Sequence, residues 1–424
     1  MKLFIAAMGL TCALAWAQTE ATPDARQRAK TLKDYASAAG VDAKTKVGHI
    51  GPYVRDPDVT VQRTVVEALA KIGGAETIDP LLEATRLPDE AAQIRATNAI
   101  VSYYYPGYVE QGLTALKSRV LGSSDPVIEA HIEVRPDVIT ALGNLASHGI
   151  SITSQANAAR AVGVLRGRAA LPDLYAALRT KDTRVLYEAL VAIRKIGDRD
   201  AGPQVAFLLR DLDEDVQVAA IDATGYLQNR AAAPRLRELV VEGRGKRVKP
   251  AALAALAQMP DEADRALYEA RLNDPDSPTR VAAAEGIGRL KRATDQPTVS
   301  ALFEKEKKME PRLAAAFASV ALGNRGLSEF APLRYLVNTL NSAAYNRIAE
   351  AYLEELCRDA ANRPAILALI PVMTREEKTR TAGLLGRTGA KDVEATLISM
   401  SRDADVAVGQ AAARALRTLR TQQP

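Results

Sequence analysis

Asp211-Leu212-Asp213-Glu214-Asp215-Val216-Gln217-Val218-Ala219-Ala220-Ile221-Asp222-Ala223-Thr224-Gly225-Tyr226-Leu227 is the stretch whose reading decides the fold. Val216, Ala220, Ala223, Thr224 and Leu227 are apolar or small at X, X+4, X+7, X+8 and X+11, which is one face of an α-helix. Asp213, at X−3, carries the short side-chain oxygen that suits a helix N-cap. The same register recurs outward in both directions.

Its starting positions are 61, 92, 123, 154, 185, 216, 248, 279, 311, 345, 377 and 408, so the period is 31 or 32 residues except for one step of 34. The N-cap position holds Asp58, Asp89, Ser151, Asp182, Asp213, Asp276, Ser342, Thr374 or Asp405, while Val120, Gly245 and Lys308 break the rule. At X+12, Gly73, Gly197, Gly323 and Gly389 suit the left-handed residue that ends a helix. Pro172, Pro203, Pro234 and Pro297, each 18 residues after X, open a shorter second helix. Each unit therefore reads as a helical hairpin. Tyr103, at X+11, is expected in the core, and Cys357, at X+12, in a turn. The register is weakest over 123–149, where Pro126 and Pro136 compete for the boundary.

Asp56-Pro57-Asp58-Val59, Asp211 to Val216 and Ala282-Ala283-Ala284-Glu285-Gly286-Ile287-Gly288-Arg289-Leu290 carry a likeness. Over about 55–420 the chain resembles HEAT-repeat proteins, in particular the short HEAT-like repeats of the phycobilisome lyase type. The resemblance implies an all-α fold, a right-handed α-α superhelix of about twelve hairpins in which each repeat buries its apolar face against its neighbours. Residues 18–54 read as an N-terminal segment with a divergent first hairpin, 55–420 as the HEAT-like solenoid and 421–424 as a tail. Fold of this kind does not name an activity.

Composition agrees with helix-on-helix packing. The chain has 424 residues, 47% hydrophobic and 4% aromatic, so its core is built from Ala, Leu, Val and Ile. With 3 His in all, a His-rich metal site is excluded, and the His-Glu pairs of the related di-iron hydroxylases are missing because His49, His131 and His148 precede Ile50, Ile132 and Gly149. No Gly-x-Ser-x-Gly elbow, phosphate loop or two-Cys knuckle occurs. The expectation is no catalysis, no cofactor and no metal.

Met1-Lys2, the apolar Leu3–Ala15 stretch and Ala15-Trp16-Ala17 have the parts of a cleaved signal peptide, residues 1–17. Cleavage after Ala17 places the mature chain in the periplasm or outside the cell. It removes Cys12 and Trp16 and leaves Cys357 unable to close a disulfide within the chain.

Function is then read as an exported scaffold that binds another protein through an extended surface of second helices. The alternatives are a lyase-like HEAT enzyme or enzyme subunit, and cell-envelope carbohydrate or polyanion binding; nucleic acid is not expected as a partner, and oligomeric state is not readable. Acids cluster before first helices and bases after them, as the helix dipole favours, which predicts one acidic and one basic edge. The candidate partner-binding residues are Arg166, Arg168, Lys195, Arg199, Lys291 and Arg292 on the basic edge, with Tyr104, Tyr105 and Tyr108 as a possible aromatic anchor around Pro106-Gly107.

Overall fold

Asp213 opens the helix Glu214–Tyr226 by accepting the Val216 N–H at 3.1 Å. Side-chain caps of the same kind are made by Asp58, Asp89, Ser151, Asp182, Asp276, Thr374 and Asp405. The computed structural model describes residues 23–108, 126–129 and 132–421, and among these described residues the only regular elements are α-helices and short 3-10 turns. The signal-peptide region, Cys12, Trp16, His131 and the register position at 123 lie outside them.

The chain divides into two compact units, one ending at Ala99 and one beginning at Ile100. In the first, helices Pro23–Ser37, Ala43–Ile50, Val59–Ile72 and Ile78–Ala84 pack around Val61, Val65 and Leu69, all fully buried. Gly73 ends the helix Val59–Ile72 with φ 65°.

In the second unit the long first helices run from Ile152–Val164 through Thr183–Ile196, Glu214–Tyr226, Val248–Gln258, Ser277–Leu290, Met309–Ala321, Asn346–Arg358 and Arg375–Arg387 to Val406–Thr421. Each packs on the first helix of the next repeat without a break. Second helices are short, from Gly202–Val205 to Ala233–Glu242, and most pack chiefly on the first helix of the following repeat. Pro172, Pro203, Pro234 and Pro297 sit in their first turns, as the sequence predicts.

Close approach explains why the stack is tightest along the first helices. Gly163, Gly225, Gly288 and Gly386 all fall at X+9, and a methyl on any of them would lie 2.7 or 2.8 Å from the Cα of Ala192, Ala255, Ala318 or Ala415, which fall at X+7 of the following repeat. A second periodic device clips the incoming loop. Gln62, Gln93, Gln155 and Gln217, at X+1, donate from Nε2 to the carbonyls of Asp56, Leu87, Gly149 and Leu209 at 2.8–3.0 Å.

Several expectations need correcting. The segments 126–129 and 132–135 contain no helix, and the chain re-enters helical structure at Pro136–His148 with Pro136 in its first turn. Ser342 is not a cap: the repeat preceded by the 34-residue step takes up its extra residues in a turn, and its helix opens at Asn346. Tyr103 and Tyr104 exchange roles. The stripe there runs Ala92, Ala96, Ile100 and Tyr104 at four-residue steps, which buries Tyr104 and leaves Tyr103 42% exposed. Cys357 lies inside its helix and is fully buried, not in a turn.

Gly225→Ala should lower unfolding free energy by about 1–3 kcal/mol in urea melts, because backbone has to move to admit the methyl. Gly383→Ala, whose added methyl meets only the Arg387 side chain at 3.5 Å, should be neutral or stabilising by up to about 1 kcal/mol. Equal effects at the two positions would refute the close-packing account.

A candidate binding groove

Residues near the C-terminal ends of five successive first helices of the second unit line one groove of about 810 Å³. Tyr226, Gln258, Arg289, Phe317 and Tyr352 are contributed in chain order, one per repeat. Second helices supply none of the lining. The reason is the tight first-helix stack, which sets neighbouring first-helix ends side by side.

A polar clamp crosses the groove between helices two repeats apart. Arg289 donates to both oxygens of Glu355, at 2.8 Å each, and to Glu285 at 3.0 Å. Tyr352 donates its hydroxyl to Glu285 at 2.6 Å, and Lys291 reaches Asp359 at 2.7 Å. Beneath these bonds the Phe317 ring stacks on Tyr352 with centroids 4.9 Å apart, and the Arg289 guanidinium lies 5.4 Å from the Phe317 centroid. Burial first, and the adjoining Glu285 carboxylate second, push the Tyr352 phenol well above its ordinary value, so it stays a donor. Against the cost of its own burial, the two carboxylates hold Arg289 firmly protonated.

The residues selected from sequence do not gather into one patch. Lys291 lines the groove, with φ 55°. Arg168 pairs with Asp198 at 2.8 Å, and Arg292 pairs with Glu262. Lys195 lies within the helix Thr183–Ile196 and is buried, while Arg199 and Arg166 are exposed. Tyr104 is buried and accepts the Arg135 N–H at 3.4 Å, and Tyr105 and Tyr108 are half-buried. The expected basic edge is instead mixed. Bridges one repeat long, such as Arg168 to Asp198, Arg265 to Asp295 at 2.6 Å and Arg363 to Asp392 at 2.8 Å, place carboxylates among its bases.

Sequence reasoning passed over Arg289, Glu285, Tyr352 and Glu355 as groove residues. Their partners are 66 or 67 positions apart, too far for any helical spacing rule. Among the described residues no group of three or more His, Cys, Asp or Glu is placed to hold a metal ion, and no helix is long and apolar enough to cross a membrane. His49 packs on Tyr35 with ring centroids 4.1 Å apart, and His148 contacts Ser147 at 2.7 Å.

Residues 203–288 match the HEAT repeats family and residues 61–86 the PBS lyase HEAT-like repeat. Those stretches carry HEAT repeats, and the described residues form an all-α fold of repeated helices. No curated protein matches it. Among solved structures it is similar to YibA of Escherichia coli, at 14% identity over 72% of this chain and 99% of that one, with TM-score 0.41. It is also similar to the CpcE–CpcF complex of phycocyanin lyase from Nostoc sp. PCC7120, at 18% identity over 59% and 96% of the two chains, TM-score 0.36. Human deoxyhypusine hydroxylase is similar at 16% identity over 68% and 97%, TM-score 0.29.

Tyr352→Phe keeps the ring stack and removes one hydrogen bond to a charged group, so it should cost about 1.5–3 kcal/mol in urea melts; an unchanged midpoint would show the clamp to be idle. Burial raises the Cys357 thiol to about 12. In a Cys12→Ser background, native protein should therefore not react with a disulfide reagent at pH 8, whereas guanidinium-unfolded protein should react at once.

Proposed function

We propose that this chain is an exported scaffold that holds a segment of another protein along the groove of its second unit. The observation that carries this reading is the continuity of the groove over five successive first helices. Tyr226 stands 50% exposed on its lining beside arginine, lysine and carboxylate groups, a mixture suited to anchoring a peptide. An isolated catalytic centre does not need such length. Export is supported by Met1-Lys2, the apolar Leu3–Ala15 stretch and the Ala15-Trp16-Ala17 cleavage pattern. The short repeats shared with lyases are a fold likeness and assign no residue a catalytic role.

A photo-crosslinking amino acid placed at Tyr226 should capture a discrete partner in exported protein, whereas the same group at Val241, exposed on the second helix Ala233–Glu242, should not. Capture from Val241 alone would move the binding face to the second helices. Because Trp16 is the chain's one tryptophan, exported protein should show no tryptophan emission; an emission band would contradict cleavage after Ala17.

A further inference from the structure

Arg358, which lines the groove, also lines a neighbouring cavity of about 500 Å³. Four arginines from four repeats meet there: Arg166, Arg358, Arg387 and Arg414. The carboxylates on the lining are Glu354 and Glu129. Glu354 is shared, holding Arg358 on one oxygen at 2.6 Å and Arg387 on the other at 2.7 Å. Glu129 has its own interaction. The side chains of Arg166 and Arg414 make no hydrogen bond or ion pair among the described residues. Among the described residues of the lining, positive charge is therefore in excess.

Arg166 follows the helix Ile152–Val164 at X+12 with φ 49°, the left-handed conformation that Gly73, Gly197, Gly323 and Gly389 adopt at that position and that Gln228 (φ 59°) and Lys291 (φ 55°) adopt there too. A side chain in that conformation is strained relative to glycine, and Arg166 is one of the two arginines on the cavity wall whose side chain has no partner among the described residues.

We infer that this cavity takes carboxylate side chains from an acidic segment of the bound protein, as the continuation of the groove past Arg358. The inference rests on the scaffold reading above. Carboxylate chemistry is favoured because the arginines around it are already engaged that way, Arg358 and Arg387 on Glu354 and Arg289 on Glu355. Ile128, anchored by its N–H to the Val164 carbonyl at 2.9 Å, gives the wall an apolar side for the intervening residues.

Fluorescence anisotropy of the full chain with labelled octaglutamate, and with octaglutamine as the uncharged control, tests this at low ionic strength. Octaglutamate should bind and octaglutamine should not. Arg166→Gly and Arg414→Gln should each weaken binding about tenfold, while Arg417→Gln, exposed on the same helix as Arg414, should leave it unchanged. Arg166→Gly should also keep or raise the melting temperature, since it relieves the strained φ, so lost binding cannot be read as unfolding. Absence of octaglutamate binding, equal binding by the Arg166 and Arg414 variants, or complete displacement by equimolar inorganic phosphate would each overturn the inference, the last by making the cavity a small-anion site. Capture of a partner at Tyr226 together with failure of octaglutamate removes only the acidic-segment claim; octaglutamate binding without capture at Tyr226 removes the groove reading instead.

Discussion

Everything in the second unit depends on how closely consecutive first helices approach. Where Gly163, Gly225, Gly288 and Gly386 face the alanines of the next repeat, no room remains for a methyl group. Dispersion falls steeply with separation, so a stack of small residues gains cohesion from contact area that larger side chains would hold apart. The scarcity of aromatic residues is a consequence of that packing. Among the large rings that do occur in these helices, Tyr268, Phe317 and Tyr352 are buried.

Charge follows the same periodicity. Guanidinium groups reach acids one repeat along the chain, as in Arg63 to Asp89 at 2.6 Å, Arg160 to Glu188 at 2.7 Å and Arg265 to Asp295 at 2.6 Å. Fully exposed pairs contribute about 0–1 kcal/mol each, but in these three the carboxylate is buried, so loss of its guanidinium would leave an uncompensated charge. The bridges also fix register, since a slip of one residue between neighbouring repeats would misalign each of them. They also engage several of the bases that the sequence places after first helices, such as Arg168 and Arg292, whereas Arg166 and Arg414 on the arginine cavity make no side-chain ion pair among the described residues.

The clamp around Arg289 departs from the one-repeat rule. Its bonds join residues 66 to 68 positions apart, stepping over the helix Met309–Ala321 so that one repeat forms the floor and its two neighbours form the walls. A guanidinium held by two carboxylates is already matched, so it shapes the groove and does not compete for an incoming acidic group. Arg166 and Arg414 have no such partners among the described residues, and that difference sets the arginine cavity apart from the clamp.

Local sequence sufficed for the repeat itself. The apolar stripe, the aspartate caps and the left-handed glycines after the helices are all set by interactions within a dozen residues, so Asp213, Gly197 and Pro234 were readable one by one. It failed where spacing changed, at Ser342 and at Tyr103, because a longer turn or a four-residue drift of the stripe shifts the buried face without changing composition. Gly at X+9 and Gln at X+1 were visible signals whose meaning needed a neighbour to supply it. Which face of the stack forms the groove, and which arginines remain unpaired, were decided only by tertiary structure: both depend on contacts between residues two or more repeats apart, and no periodicity along the chain encodes how far the stacked helices bring such residues together.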